Sequence, residues 1–202
     1  AVSAHGADPD GLTNAGAAYT FDISAYASAN TPPTNLNANG ALSILENQPT
    51  GTIVGSFTAT DPDAGAILTY SLTAGAGDGN NSLFTLESNG TLKSAAIFDR
   101  EVDGNLSIRV KVQDENNASM DGNFTVQVTN QNEAPLNLTP SGVFTLAENQ
   151  AASTAVGSFT ATDPDAGATL SFSLVDDNAT SSSKFSLSIG GALTTAEILD
   201  FE

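Results

Sequence analysis

Two aspartates one residue apart, Asp61 and Asp63, return 102 positions later as Asp163 and Asp165. Each pair lies inside a string that repeats without a change, Val54–Ala66 and Val156–Ala168. Neighbouring carboxylates repel unless something positive stands between them. A divalent cation held by about six to eight oxygens meets that need. Other oxygen donors recur in step with the pairs. Glu46 matches Glu148, and Asp99 with Glu101 matches Asp200 with Glu202. Asn130, Gln131, Asn132 and Glu133 lie between the two copies. Carboxylates, amides and carbonyls suit calcium; zinc and copper favour nitrogen and sulfur. In an extended chain, residues i and i+2 point to one side, so each acid pair is expected to face one ion together. Pro62 biases Asp61 toward that geometry. Arg100 is then expected to point away, and Phe201 at the matched position shows that the middle residue need not be charged.

The elements that must carry these acids are strands. Thr52 to Thr60 places Ile53, Gly55, Phe57 and Ala59 on one face. Ile108, Val110 and Val112 alternate with Arg109 and Lys111, and Phe124, Val126 and Val128 alternate again. Period two is the pattern of half-buried strands. Turn residues cluster at Gly75–Asn81, Asp103-Gly104 and Asp121-Gly122, and the last two predict hairpin-like turns. About seven short strands in roughly 100 residues predict a β-sandwich.

The copies match beyond the identical string. Glu46-Asn47-Gln48 returns as Glu148-Asn149-Gln150, and Asn30, Pro33, Asn35 and Leu36 return as Asn132, Pro135, Asn137 and Leu138. A period near 100 residues is too long for a solenoid unit and predicts tandem domains. The boundaries expected are 1–33 for the end of a preceding domain plus a linker, 34–133 for repeat one and 134–202 for repeat two. The second copy stops where the first still has the strands around 105–113 and 123–129 to come. The chain is therefore expected to be a fragment, with 134–202 truncated and weakly stable or open-edged.

Composition narrows the function. Net charge is −18 with five Lys and Arg among 202 residues, which disfavours nucleic acid and anionic membranes as partners. There is no cysteine for a disulfide or thiolate site. No apolar run approaches the ~18 residues that span a bilayer, so no direct membrane insertion is expected of this segment. The single histidine, His5, lies in the terminal segment, which leaves no Ser-His-Asp triad. The acids come in dense groups suited to an ion rather than to proton transfer. No enzyme is expected.

Together, Leu45-Glu46-Asn47, Asp61-Pro62-Asp63, Asp99-Arg100-Glu101, Val110-Lys111-Val112-Gln113-Asp114 and Asn130-Gln131-Asn132-Glu133-Ala134-Pro135 resemble the cadherin repeat in its bacterial form, over about residues 34–202. The resemblance implies an all-β fold of tandem Greek-key sandwiches, with Ca2+ bound between successive repeats. It implies that Glu46, Asp99 and Glu101 serve one junction from the base of repeat one. Asn130, the Gln131 carbonyl, Asn132 and Glu133 serve it from the linker, and Asp163 and Asp165 from the top of repeat two. Asp61, Asp63 and Asp114 would face the preceding junction with Asn30. Glu148, Asp200 and Glu202 would face one beyond. The linker departs from the family pattern. Asn130 replaces its first Asp, Glu133 its second, and one residue is missing, which implies fewer or weaker ions; Ser28 stands where the first linker would have its Asn130. Residues 6–26 resemble the end of an integrin-like FG-GAP propeller repeat, with Asp8, Asp10 and Asn14 as cation candidates; a plain turn into a strand is the other reading.

The expected function is that of a non-catalytic, calcium-binding segment of a large secreted or cell-surface protein, membrane-associated in its parent form and acting in cell adhesion. Without calcium its domains are expected to swing. Its partners would be protein or carbohydrate surface ligands, with homophilic pairing among them on the family resemblance alone. A structural spacer or carbohydrate-binding accessory module of a secreted multidomain enzyme is the alternative. An Ig-like module without metal is a third reading, which requires the acids to be solvated.

Overall fold

Alternating branched residues over 105–113 build the most regular ladder of the fold. The computed structural model of the chain describes residues 29–175 and 182–202. Strand β7 (Asn105–Gln113) pairs antiparallel with β8 (Ser119–Thr129) without a slip, from Asn105 opposite Gln127 to Gln113 opposite Ser119. Ile108, Val110 and Val112 point inward and are fully buried, as are Val126 and Val128 of β8. Six more strands complete the unit: β1 (Thr34–Ala38), β2 (Ser43–Leu45), β3 (Ile53–Thr60), β4 (Thr69–Leu72), β5 (Phe84–Leu86) and β6 (Thr91–Ser94). They form two four-stranded sheets, ordered β1-β3-β6-β5 and β2-β8-β7-β4. Leu36, Ile44, Phe57, Phe84, Leu92 and Phe98 fill the space between them with the β7 and β8 valines. Phe57 meets Phe124 edge-on across the core at 4.8 Å. The fold is an all-β sandwich. Among the described residues the only helical pieces are 3₁₀ turns at Asn81–Leu83 and Ser182–Lys184, and no helix is long and apolar enough to cross a membrane.

Four local expectations change. Eight strands appear where about seven were expected, because the first stretch is split. β1 pairs with β3 in one sheet, and β2 crosses over to pair parallel with β8 in the other. In β3 the predicted apolar face breaks: Val54 is buried and Ile53 is 64% exposed. The ladder to β6 slips between Ile53 and Gly55, and an extra residue in a strand reverses which side chains face the core. Asp121-Gly122 is no turn but lies inside β8, opposite Lys111 and Val110. The hairpin turns at 114–118 instead, with Asn117 at φ 72° and the Asp114 N–H donating to the Ala118 carbonyl at 3.0 Å. Asp103-Gly104 is likewise not a hairpin turn. It ends a loop into β7, where the Asp103 N–H donates to the Asp99 carbonyl.

A third sheet, formed by the second copy, repeats the order of the first. Strands β9 (Leu136–Pro140), β10 (Ala155–Thr162), β11 (Phe185–Leu187) and β12 (Ala192–Thr195) run β11-β12-β10-β9, the counterpart of β5-β6-β3-β1. Its turns repeat as well. Gly90 and Gly191 both have φ near +90°, and a Cβ at either would stand 2.7 or 2.5 Å from the carbonyl oxygen of Phe57 or Phe159. No facing sheet covers it among the described residues. Leu193 is its only buried large apolar side chain, and Leu138 and Leu174 stand open at 67% and 40% exposure.

Candidate metal centre

Every acid pair is a bend rather than an extended stretch. The N–H of Asp63 donates to Asp61 Oδ1 at 2.8 Å, and that of Glu101 to Asp99 Oδ1 at 3.0 Å. The N–H of Asp165 donates to Asp163 Oδ1 at 3.0 Å and that of Glu202 to Asp200 Oδ1 at 3.2 Å. Asp side chains commonly accept from the N–H two residues on, and this local bond overrides the extended geometry expected of the pairs. The bend occupies one oxygen of the first acid and leaves the other. In Asp61 that second oxygen, Oδ2, is buried and has no hydrogen-bond partner among the described residues. A buried carboxylate oxygen without a donor is costly, and a cation satisfies it.

The segment between the two copies gathers most of the predicted residues. Glu46 follows β2, and its N–H donates to the Thr129 carbonyl at 3.0 Å, which places it beside the chain leaving β8. Its side chain is fully buried. Oε2 accepts from the Arg100 N–H and Oε1 from the Gln131 N–H, each at 2.7 Å. Carboxylate oxygens of Glu46, Glu101 and Glu133 lie within 4.8 Å of one another. From the second copy, Asp165 Oδ2 accepts from the Glu133 N–H at 2.8 Å and Oδ1 from the Asn130 amide at 2.7 Å. Gln131 meets Glu46 through its N–H. The Asn132 amide turns to the Glu133 carbonyl at 3.0 Å. Arg100 contributes its N–H here and lays its guanidinium by Gly104, with no ion pair to an acid among the described residues. Among the described residues the ion pairs are Lys93–Glu87, Arg109–Asp121 and Lys184–Glu197, none of them at this junction. The donor set is all oxygen, so the residues fit a hard cation and do not fit a thiolate- or imidazole-bound metal.

The other two groups follow the same plan. At the entry end, the Thr31 N–H and hydroxyl both donate to Asp63 Oδ2, at 2.7 and 2.8 Å, as the Glu133 N–H does to Asp165. Asp114 is buried; Oδ1 staples the hairpin turn by accepting from the Asn116 and Ala118 N–H groups, and Oδ2 accepts from the Asn30 amide at 3.0 Å. At the far end Glu148 Oε2 accepts from the Phe201 N–H at 3.2 Å, the counterpart of Glu46 with Arg100. Glu148, Asp200 and Glu202 are all exposed. Asp8, Asp10, Asn14 and Ser28, with the resemblance over 6–26, lie outside the described residues.

Charge and hydrogen bonding pull these carboxyls apart. The Glu133 N–H, then the Asn130 amide, hold Asp165 below the ordinary Asp range, and the Thr31 backbone and hydroxyl do the same for Asp63. Glu101 is pushed above the ordinary Glu range, first by loss of water around its carboxyl, then by the charges of Glu46, Asp99 and Asp165. The signs are opposite. A depressed Asp stabilises the folded junction above its unfolded value of about 3.9, and that contribution is lost as pH falls through the folded midpoint. Ionised Glu101 opposes the junction at neutral pH and is relieved as pH falls through its raised midpoint. A carboxyl-carbon NMR titration in chelator is expected to find Asp165 and Asp63 below the ordinary range and Glu101 above it. Adding Ca2+ should bring Glu101 down. Ordinary midpoints for all three would refute this electrostatic picture.

Sequence reasoning passed over Thr31, Asn47, Gln48 and Asn116. Asn47 donates to Glu133 Oε1 at 2.9 Å, Gln48 to Gln131 Oε1 at 3.3 Å, and Asn116 to Asn30 Oδ1 at 3.2 Å. The signal for the first two was present, since the triplet Glu-Asn-Gln repeats as a whole.

Comparison with known proteins gives consistent matches. A family model described as the cadherin domain matches residues 41–129. Human Protocadherin-16 is 37% identical over 131 residues, which is 62% of this chain and 4% of that protein. Mouse Protocadherin Fat 4 is 33% identical over 129 residues, 61% of this chain and 2% of that protein. The chain thus spans a few per cent of the length of these relatives. The solved structure of human Protocadherin-24 EC1-2 superposes with a TM-score of 0.65 at 21% identity, over 85% of this chain and 80% of that one. At such identity the superposition speaks for the fold.

Proposed function

We propose that the chain carries cadherin-like repeats and is a non-catalytic, extracellular or cell-surface segment whose inter-repeat junction binds Ca2+ and serves cell adhesion. We take 34–133 as one repeat, 134–202 as part of the next, and 1–33 as the lead-in from whatever precedes. The observation that carries the reading is the triad of Glu46, Glu101 and Glu133, whose oxygens converge within 4.8 Å with no Lys or Arg ion pair at the junction among the described residues. Glu46, Asp99 and Glu101 would hold the ion from one repeat, Glu133 with Asn130, Gln131 and Asn132 from the linker, and Asp163 and Asp165 from the other repeat. A bound Ca2+ supplies the positive charge that lets these acids stay ionised side by side. The chain's own part is to fix the linker: Glu46 grips Gln131 from one side and Asp165 grips Glu133 from the other. Asp61, Asp63, Asp114 and Asn30 form the corresponding half of the preceding junction, and Glu148, Asp200 and Glu202 that of the following one. Protein surfaces, homophilic or heterophilic, are the partners this reading favours. No observation favours the accessory-module alternative.

Extracellular modules commonly bind calcium near 10⁻⁴–10⁻³ M. At a Kd of about 10⁻⁴ M, 1 mM Ca2+ adds about 1.4 kcal/mol per site to the folded state. Thermal melts followed by circular dichroism should therefore shift upward in millimolar Ca2+ and return in chelator. The double substitution Asp163→Ala with Asp165→Ala should shrink the shift. Identical melts with and without Ca2+ would end the proposal.

A further inference from the structure

The junction holds side-chain amides aimed at its carboxylates; the calcium reading gives Asn47 no task and uses Asn130 only as an oxygen ligand, which leaves its amide N–H group unaccounted for. The Asn130 amide lies 2.7 Å from Asp165 Oδ1, tying the linker to the second repeat. The Asn47 amide lies 2.9 Å from Glu133 Oε1, tying the first repeat to the linker. Donors to ionised carboxylates make the stronger class of hydrogen bond. We propose that Asn47 and Asn130 are positioning residues that seat the linker between the two repeats before any cation binds, an inference that rests on the proposed reading of this junction.

Three features support it. Asn47 sits in the left-handed region at φ 59°, which Asn tolerates better than most residues, and its N–H donates to the Phe98 carbonyl at 2.9 Å. Asn149 repeats both the angle and the bond, with φ 59° and its N–H 2.8 Å from the Leu199 carbonyl. The loop therefore builds the same pose in each copy. The entry junction uses the same chemistry at other positions. There the Asn30 amide donates to Asp114 at 3.0 Å, and the Asn116 amide in turn donates to Asn30 Oδ1 at 3.2 Å. Finally, the amides act together with backbone donors, since Gln131 and Glu133 give their N–H groups to Glu46 and Asp165. An amide cancels no net charge, so it does not replace the ion. It gives each carboxylate a partner and fixes the course of the linker. Loss of calcium then lowers stability while leaving the linker seated, a narrower effect than the free swing of domains expected from the acids alone. Aspartate at position 130 would instead set a second negative charge against Asp165.

Hydrogen exchange of the whole chain tests this, read on peptides covering 129–135 with the β7–β8 peptides as an internal standard of folding. In chelator the wild-type linker amides should stay protected. Asn47→Ala and Asn130→Asp should each speed their exchange roughly three- to tenfold while β7 and β8 hold. Ca2+ should restore protection in Asn130→Asp, with calorimetry showing Ca2+ bound at least as tightly as in wild type. Wild-type linker amides that exchange in chelator at the rate of an unstructured peptide would overturn the inference, as would variants that leave the rate unchanged. Protection in chelator with no calorimetric response to Ca2+ would support the positioning role and reject the calcium reading.

Discussion

Glu46→Ala should cost the junction its calcium response and weaken the first sandwich at the same time. Glu46 is fully buried, and both its oxygens are engaged, by Arg100 and Gln131 N–H groups at 2.7 Å. Alanine leaves both donors without an acceptor, at about 1–3 kcal/mol each for a fully buried group and toward the lower end here, where the bonds are partly exposed. A smaller term opposes this: removing the charge of Glu46 relieves Glu101, whose carboxyl it pushes upward. The net effect in chelator should still be destabilising, because two lost bonds outweigh one repulsion between groups of which Glu101 is exposed. In Ca2+ the loss should be larger, since the one acid that touches strand, bend and linker together is gone. Denaturation in chelator, paired with calorimetry in Ca2+, separates the two parts. Glu148→Ala is the control. Glu148 is exposed and its side chain accepts a single bond among the described residues, at 3.2 Å, so its loss should change little. A Glu46→Ala protein that binds Ca2+ as wild type does would show that the centre lies elsewhere.

The other large effect belongs to the core. Leu92 in β6 is fully buried between the two sheets, and truncation of such a side chain to alanine costs about 2–5 kcal/mol, through lost transfer energy and the cavity left behind. Leu193 in β12 is its counterpart and is also buried, at 7% exposure, but its sheet has no facing sheet among the described residues. A site open on one side collapses or fills with water more readily, so Leu193→Ala should cost clearly less. Denaturant unfolding of the two single variants measures the difference. Equal losses would mean that the second copy's sheet is packed as tightly as the first.

The inner faces of β7 and of the Phe124–Val128 part of β8 were legible in the sequence because period two is undisturbed there and every second residue is apolar. The sandwich followed from the number of short period-two strands, and the family resemblance from several motifs occurring together. Ile53 and Val54 were misplaced because a bulge depends on the partner strand and leaves no mark in composition. Asp121-Gly122 looked like a turn because the dipeptide favours one locally; the unbroken β7–β8 register overrode that preference. The grouping of Glu46 with Glu101 and Glu133 was expected from the resemblance. The bends of the acid pairs were not, since alternation was taken to place them. The positioning role of Asn47 and Asn130 escaped for a different reason, although Asn130 was itself expected at the site as a ligand. The resemblance supplied ligand roles for acids and for the linker, and no rule of spacing distinguishes an amide that holds a carboxylate from one that meets a metal.

The split first strand has a mechanical consequence. β2 lies parallel to β8, with Ser43 opposite Gln127 and Leu45 opposite Thr129, and the ladder ends at the Glu46 N–H on Thr129. The chain enters the sandwich through β1, before β2, and leaves it through the end of β8. Tension applied between the two ends therefore draws β2 and β8 in opposite directions along their shared axis. The slanted hydrogen bonds of this parallel pair cross that axis, so they are loaded together in shear and must yield as a group; they cannot peel one at a time. A short three-residue pairing at the exit thus acts as the grip of the domain under pulling, and it stands next to the acid cluster that joins it to the following repeat.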